Sequence, residues 1–258
     1  MDALPLDITG FQLFLICLAR MAAMFGTMPI FGSGMASARV RLGVILTLSL
    51  VIFPVVRPLL PSIELSLTAL AILIASEGIL GLLVGFTAQL IFASVELGGT
   101  IIGYMMGFAA ANVYDPQSQR QVSVISQYQN VISILIFLSL DVHHLFIRAI
   151  LHSYELLPPG GIDLGGEGIP FLLTLASNMF SLGVQFSAPI LAVLLLSGLV
   201  LGILSRVFPQ LNVFMLSFPL NIAVGFLVIG LTLSLMVTLL GREFHALEER
   251  ILHLLQVL

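Results

Sequence analysis

Three ionised side chains stand in stretches of sequence that are otherwise apolar: Arg20, Glu77 and Asp141. An unpaired charge at the centre of a spanning helix costs about 2.5–3.5 kcal/mol by insertion scales, so each must face protein or water and find a partner. Their chemistry allows a structural ion pair or a step in an ion or proton path. Three charges without a chain of further titratable groups favour the pair. Asp141 is followed closely by His143 and His144, residue types that ligate metals and move protons. Adjacent histidines on a helix point about 100° apart, so the simpler expectation is a helix end whose polar side chains reach an interface. Hydrolytic constellations are absent: there is no His-Glu-x-x-His, no phosphate-binding loop and no Gly-x-Ser-x-Gly elbow. An intramembrane protease therefore lacks a nucleophile and a base.

Two further patterns concern packing and movement. Gly99, Gly103 and Gly107 recur at intervals of four, which bares one helix face so that a neighbour can approach closely. Met105, Met106, Phe108 and Tyr114 set flexible and aromatic bulk beside those glycines, and the polar break from Asn112 through Val113, Tyr114, Asp115 and Pro116 follows. Bulky, adaptable side chains on a loop suit a plug or gasket. Downstream, Arg206-Val-Phe-Pro-Gln-Leu-Asn212 joins the two longest apolar stretches. Pro209, Gln210 and Asn212 fit a helix-capping turn, while Pro219 and Asn221 continue a polar, broken strip into the next helix, as in strips that line an interior path.

The elements that hold these residues are set by composition. Of 258 residues, 59% are hydrophobic and only 9% charged, and the mean hydropathy is +1.16. Soluble domains are roughly half apolar and a quarter charged, so a water-soluble enzyme is excluded. All nine basic residues are arginine and the net charge is −4, which gives no footprint for nucleic acid. The single cysteine, Cys17, can form neither an internal disulfide nor a cysteine-based metal site. Asp2 and Asp7 without a basic residue are the wrong sign for a cleavable signal peptide, so the first hydrophobic segment is expected to be retained.

A spanning helix needs about 20 mostly apolar residues. Six candidates meet or approach this: 8–31, 42–56, 67–95, 131–151, 169–205 and 213–240. The stretch 97–114, rich in glycine, reads as a separate close-packed or re-entrant element. Arg39, Arg41, Arg120 and Arg206 mark one side, and Glu155, Asp163 and Glu167 the other; positive-inside logic makes the arginine loops cytoplasmic and puts both termini outside. Residues 168–205 carry no charge and as one helix would reach about 57 Å, against a hydrocarbon core of about 30 Å. This predicts a long helical hairpin packed against protein, with Pro189 able to kink it. Over 241–258 the stripe Leu247, Ile251, Leu254 and Leu258 predicts an amphipathic helix lying on a surface.

With these motifs the sequence resembles the FliR family, flagellar type III export-gate membrane proteins, and their injectisome counterparts. The resemblance rests on Met28-Pro-Ile-Phe31, Arg39-Val-Arg-Leu-Gly43, Gly85-Phe-Thr-Ala-Gln89, Gly103-Tyr-Met-Met-Gly-Phe108 before Asp115-Pro116, and above all Arg206-Val-Phe-Pro-Gln-Leu-Asn-Val-Phe214 with Phe218-Pro-Leu220. It implies an all-α polytopic membrane protein of about six long hydrophobic helices plus a re-entrant glycine-rich segment. A FliP-like part would occupy 1–168, including a plug loop at 103–119, fused to a FliQ-like hairpin at 169–240 and the amphipathic helix at 241–258. It further implies a non-enzymatic subunit, without cofactor or metal, that joins FliP and FliQ in a gated pore for unfolded flagellar proteins. FlhA and FlhB act beside it, in the bacterial inner membrane at the flagellar basal body. By this resemblance Met105 to Pro116 enters the pore as the plug, with Met106, Phe108, Val113 and Tyr114 as gate residues, and the turn Arg206, Pro209, Gln210 and Asn212 sits at the cytoplasmic entrance. The rival from another class is a stand-alone secondary transporter, which also uses broken helices and intramembrane charges; the sequence offers no inverted repeat to support it.

Overall fold

The structure, a computed structural model, describes residues 8–28, 37–60, 66–108, 123–163, 165–210 and 212–258. Seven α-helices account for most of them: α1 (Ile8–Thr27), α2 (Ala38–Val56), α3 (Leu67–Met105), α4 (Val124–Ser139), α5 (Val142–Leu156), α6 (Gly168–Val207) and α7 (Val213–Val257), with a single 3₁₀ turn at Arg57–Leu59. The described residues contain no strand. Helix is the expected answer for such a composition, because only helices and closed barrels satisfy their own backbone in lipid. α1, α2, α3, α6 and α7 are each long and apolar enough to cross a membrane, and the bent pair α4 and α5 supplies a sixth span if taken together. The protein is a polytopic helical membrane protein.

Starts and stops follow local chemistry. The Ser37 hydroxyl accepts from Val40 N–H at the head of α2, and Ser66 does the same for Ala69 N–H at α3. Asn212 Oδ1 accepts from Met215 N–H, 3.3 Å, at α7, as the capping reading of that turn expects. Pro54, Pro189 and Pro219 lie inside helices that continue past them. α6 and α7, of 40 and 45 residues, correspond to about 60 and 68 Å.

Three expectations are corrected. The glycine-rich stretch is not a separate element as far as it is described, because 97–105 forms the last turns of α3. Each interior glycine costs about 1 kcal/mol against alanine, but neighbouring helices fill the space these glycines leave, and packing outweighs propensity. The segment 131–151 is not one continuous helix: it breaks at Leu140 and Asp141, the latter in the left-handed region with φ 54°, into two helices bent by 65°. The amphipathic segment 241–258 is not a helix apart, since α7 runs through it to Val257. Its stripe is core, with Leu247, Ile251 and Leu254 fully buried.

The chain forms two compact units, Met1–Leu90 with Asp141–Leu175 and Phe244–Leu258, and Ile91–Leu140 with Ala176–Glu243. In the first, α1 buries Leu13, Ile16, Cys17, Met21, Met24 and Phe25 on one face at helical spacing. Phe14 meets Phe53 edge to face at 5.6 Å. The α3 glycines Gly81 and Gly85 lie directly on α1: a Cβ on either would strike Arg20 O or Thr27 Oγ. The end of the chain is tied in by the Asp163 N–H, which donates to Leu258 O. In the second unit, Ile102, Met106, Ile125, Ile190, Leu194, Val228 and Ile229 form the core, with Phe108, Val193 and Val224 against it. Lipid tails are as apolar as leucine, so within a bilayer burial alone does not hold such helices together; close packing and polar contacts must.

Candidate functional site

α1 carries Arg20 to the centre of the first unit, 1% exposed. Its Nε donates to Glu77 Oε2 of α3 at 2.5 Å. Its other nitrogens donate to Ser153 Oγ at 2.9 Å and to Leu157 O at 3.0 Å. The guanidinium carbon lies 3.9 Å from the centre of the Tyr154 ring, within range of a cation–π contact. Ser153 in turn donates to Ile150 O at 2.7 Å. One arginine thus fastens three helices, using the planar fork of donors that lysine lacks. Glu77 is as deeply buried as Arg20. Such an enclosed arrangement acts as a structural clamp, the first of the two readings open in the sequence. Asp141 does not join it. That residue stands at the start of α5 with its side chain 71% exposed, so it is not enclosed by protein as Arg20 and Glu77 are.

The end of α3 is the second region of interest. Gly99 packs on α4 so closely that a Cβ there would lie 2.5 Å from Ser126 Cα and 2.7 Å from Gln129 Oε1. A Cβ on Gly103 would strike Ser123 Oγ. These two glycines form the close-packed face expected from their spacing. Gly107 does something else, for it follows the helix end with φ 92°, a conformation that L side chains rarely adopt. A Cβ there would come within 2.6 Å of the Phe218 ring. Met106 is fully buried and rests on Gly225, whose absent Cβ would lie 2.7 Å from its sulfur. Phe108 packs partly buried against the same core, whereas Met105 is exposed. Asn112, Val113, Tyr114, Asp115 and Pro116 lie outside the described residues.

Residues 11–247 match the family described as bacterial export proteins, family 1. Flagellar biosynthetic protein FliR of Bacillus subtilis (strain 168) is 33% identical over 249 residues, 95% of each chain. The chain belongs to the FliR family. FliR of Escherichia coli (strain K12) is 33% identical over 210 residues, 81% of this chain and 79% of its own. FliR of Caulobacter vibrioides is 28% identical over 228 residues, 88% and 91% of the two chains.

In this FliR-family chain the hairpin turn is open to its surroundings: Arg206, Pro209, Gln210 and Asn212 are all exposed, and Ser197 Oγ donates to Asn221 Oδ1 at 3.0 Å further along the two arms. The polar strip entering α7 is therefore stitched to α6 at this level. Sequence reasoning missed the partners of Arg20, namely Ser153, Leu157 and Tyr154, whose types carry no spacing signal. It also missed Gly81 and Gly85, although their separation by four was the same signal that marked Gly99 and Gly103.

Proposed function

We propose that the chain is the FliR subunit of a flagellar protein-export gate. In this reading it assembles with FliP and FliQ, beside FlhA and FlhB, into a gated pore for unfolded flagellar proteins in the bacterial inner membrane at the basal body. The observation that carries the reading is the hairpin of α6 and α7. Leu195, Leu196, Leu199, Val200, Ile203, Leu227 and Leu231 are more than half exposed along it, on helices about twice as long as a hydrocarbon core is thick. Lipid covers only part of that length, so partner helices must cover the rest. The name shared by the relatives supports the flagellar assignment. The FliP-like (1–168) and FliQ-like (169–240) division belongs to this proposal.

Within it, the loop from Met105 to Pro116 is the plug. Met106 anchors the loop at its base by filling the space over Gly225, while Phe108, Val113 and Tyr114 form the obstruction. Arg206, Pro209, Gln210 and Asn212, on an exposed turn, face the cytoplasmic entrance. The work is done by assembly and gating, with energy supplied through partners.

Native mass spectrometry of the chain coexpressed with FliP and FliQ of the same organism tests the assembly, and one copy within a larger complex is the expected result. Recovery only as a free monomer or homodimer would point instead to a stand-alone transporter. For the plug, replacing Phe108 and Tyr114 together with alanine should leave assembly intact and raise single-gate ion conductance. Conductance equal to that of the unaltered gate would remove the plug assignment.

A further inference from the structure

We infer that Asp141, His143 and His144 form a binding site for a divalent transition-metal ion of the zinc type. The inference does not depend on the export-gate reading. Sequence spacing alone argued against such a site, because successive residues of a helix point apart. The structure brings the rings together: their centroids are 4.2 Å apart and their planes 40° from parallel. Asp141 completes the group because its left-handed backbone, φ 54°, turns the chain sharply into α5 while its own carbonyl accepts from His144 N–H at 2.9 Å. Its Oδ1 then lies 3.8 Å from His143 Nε2 and 3.6 Å from His144 Nδ1.

One coordinating atom from each of the three residues falls within 4.8 Å of the others. Bonds of about 2.0–2.2 Å around one ion place donors roughly 3–3.5 Å apart, so the two contacts to the carboxylate need to close by only about half an ångström. The other ring nitrogen of His143, Nδ1, is enclosed and has no protein partner among the described residues, which leaves Nε2 as the atom available for coordination. Two imidazoles and one carboxylate suit zinc, cobalt or nickel rather than calcium or magnesium, which prefer oxygen ligands alone. Three protein donors leave at least one position open, here on the exposed side, where His144 and Asp141 face outward. Water or a side chain of a neighbouring protein fills that position, and the ion pins the first turn of α5.

The test uses the full chain in detergent, carrying an affinity tag without histidine and stripped of metal by a chelator. Zn²⁺ uptake is counted by elemental analysis after dialysis, and Co²⁺ is titrated as a visible-absorption probe. About one equivalent should bind, with the intense cobalt bands of a low-coordinate nitrogen and oxygen site. Asp141→Asn and His144→Ala should each weaken binding at least about tenfold. His152→Ala and His253→Ala should leave it unchanged. Protection of the buried thiol of Cys17 from a thiol reagent reports that each variant remains folded. No uptake by the unaltered chain, or equal uptake after His143→Ala with His144→Ala, would overturn the site.

Discussion

Replacing Glu77 with alanine should destabilise the protein by about 3–5 kcal/mol, the usual consequence of removing one partner of a buried ion pair. Arg20 would keep Ser153 Oγ and Leu157 O as acceptors, but both are neutral, and a guanidinium 1% exposed cannot recruit water in place of the lost carboxylate. About two to three and a half decades in the folded population follow, since about 1.4 kcal/mol is tenfold. The chain has no tryptophan, so intrinsic indole fluorescence is not available to follow unfolding. It has one cysteine, buried on the same helix as Arg20, and the temperature at which that thiol reacts with a fluorogenic maleimide gives a direct midpoint. The companion variant is decisive. Arg20→Leu combined with Glu77→Leu removes both charges and their desolvation cost, and should recover most of the loss. A single variant that melts with the unaltered protein, or a double variant no better than the single, would mean that the two residues do not act as a pair. The expected pattern makes the pair a structural requirement. Its chemistry would otherwise have suited a proton path.

The second large effect concerns Gly99. Alanine there sets a methyl carbon 2.5 Å from Ser126 Cα, a backbone atom that no rotamer change can move. α3 and α4 must separate locally, at a cost of about 1–3 kcal/mol for overpacking, and leucine should prevent the two from packing and stop assembly altogether. Gly78, on the same helix, has nothing within 4 Å of its Cβ position. There alanine should stabilise by up to about 1 kcal/mol through helix propensity alone. Opposite signs at two glycines of one helix distinguish contact from propensity, as measured by thiol-accessibility midpoints and by recovery of the assembled complex. A Gly99→Ala protein as stable as the unaltered one would show that α4 does not lie where the structure puts it.

These two sites also mark how far the sequence could be read. Apolar runs of 20 residues or more were legible because a bilayer or its protein substitute imposes length and excludes charge, so α1, α2, α6 and the first part of α7 emerge within a few residues. The cap at Asn212 was legible because it is local chemistry, confined to three residues. By sequence the glycine-rich stretch 97–114 reads as a separate close-packed or re-entrant element, because propensity speaks for a helix in isolation. In the protein, Gly98 lies against Gly183 and Gly99 against Ser126, and these contacts let the helix continue to Met105 through a stretch that propensity would end. The stripe from Leu247 onward is one-sided in sequence and in the structure, where Leu247, Ile251, Leu254 and Leu258 are buried, but whether that side meets a surface or a core is not written in periodicity.

The sequence by itself determined that this protein is helical, lives in an apolar medium, lacks the constellations of a hydrolase and carries the motif order of the FliR family. The first three depend on composition and local spacing, and the last on resemblance to a known family. Only the tertiary structure decided that Arg20 pairs with Glu77, 57 residues away, and that Asp141 stands outside that pair. It also decided that Gly107 makes a left-handed exit against Phe218, and that His143 and His144 converge. Each of these turns on which elements pack together and at what angle. In an apolar medium close contact and buried polar partners set that choice, and a hydrophobic pattern common to every helix cannot express it.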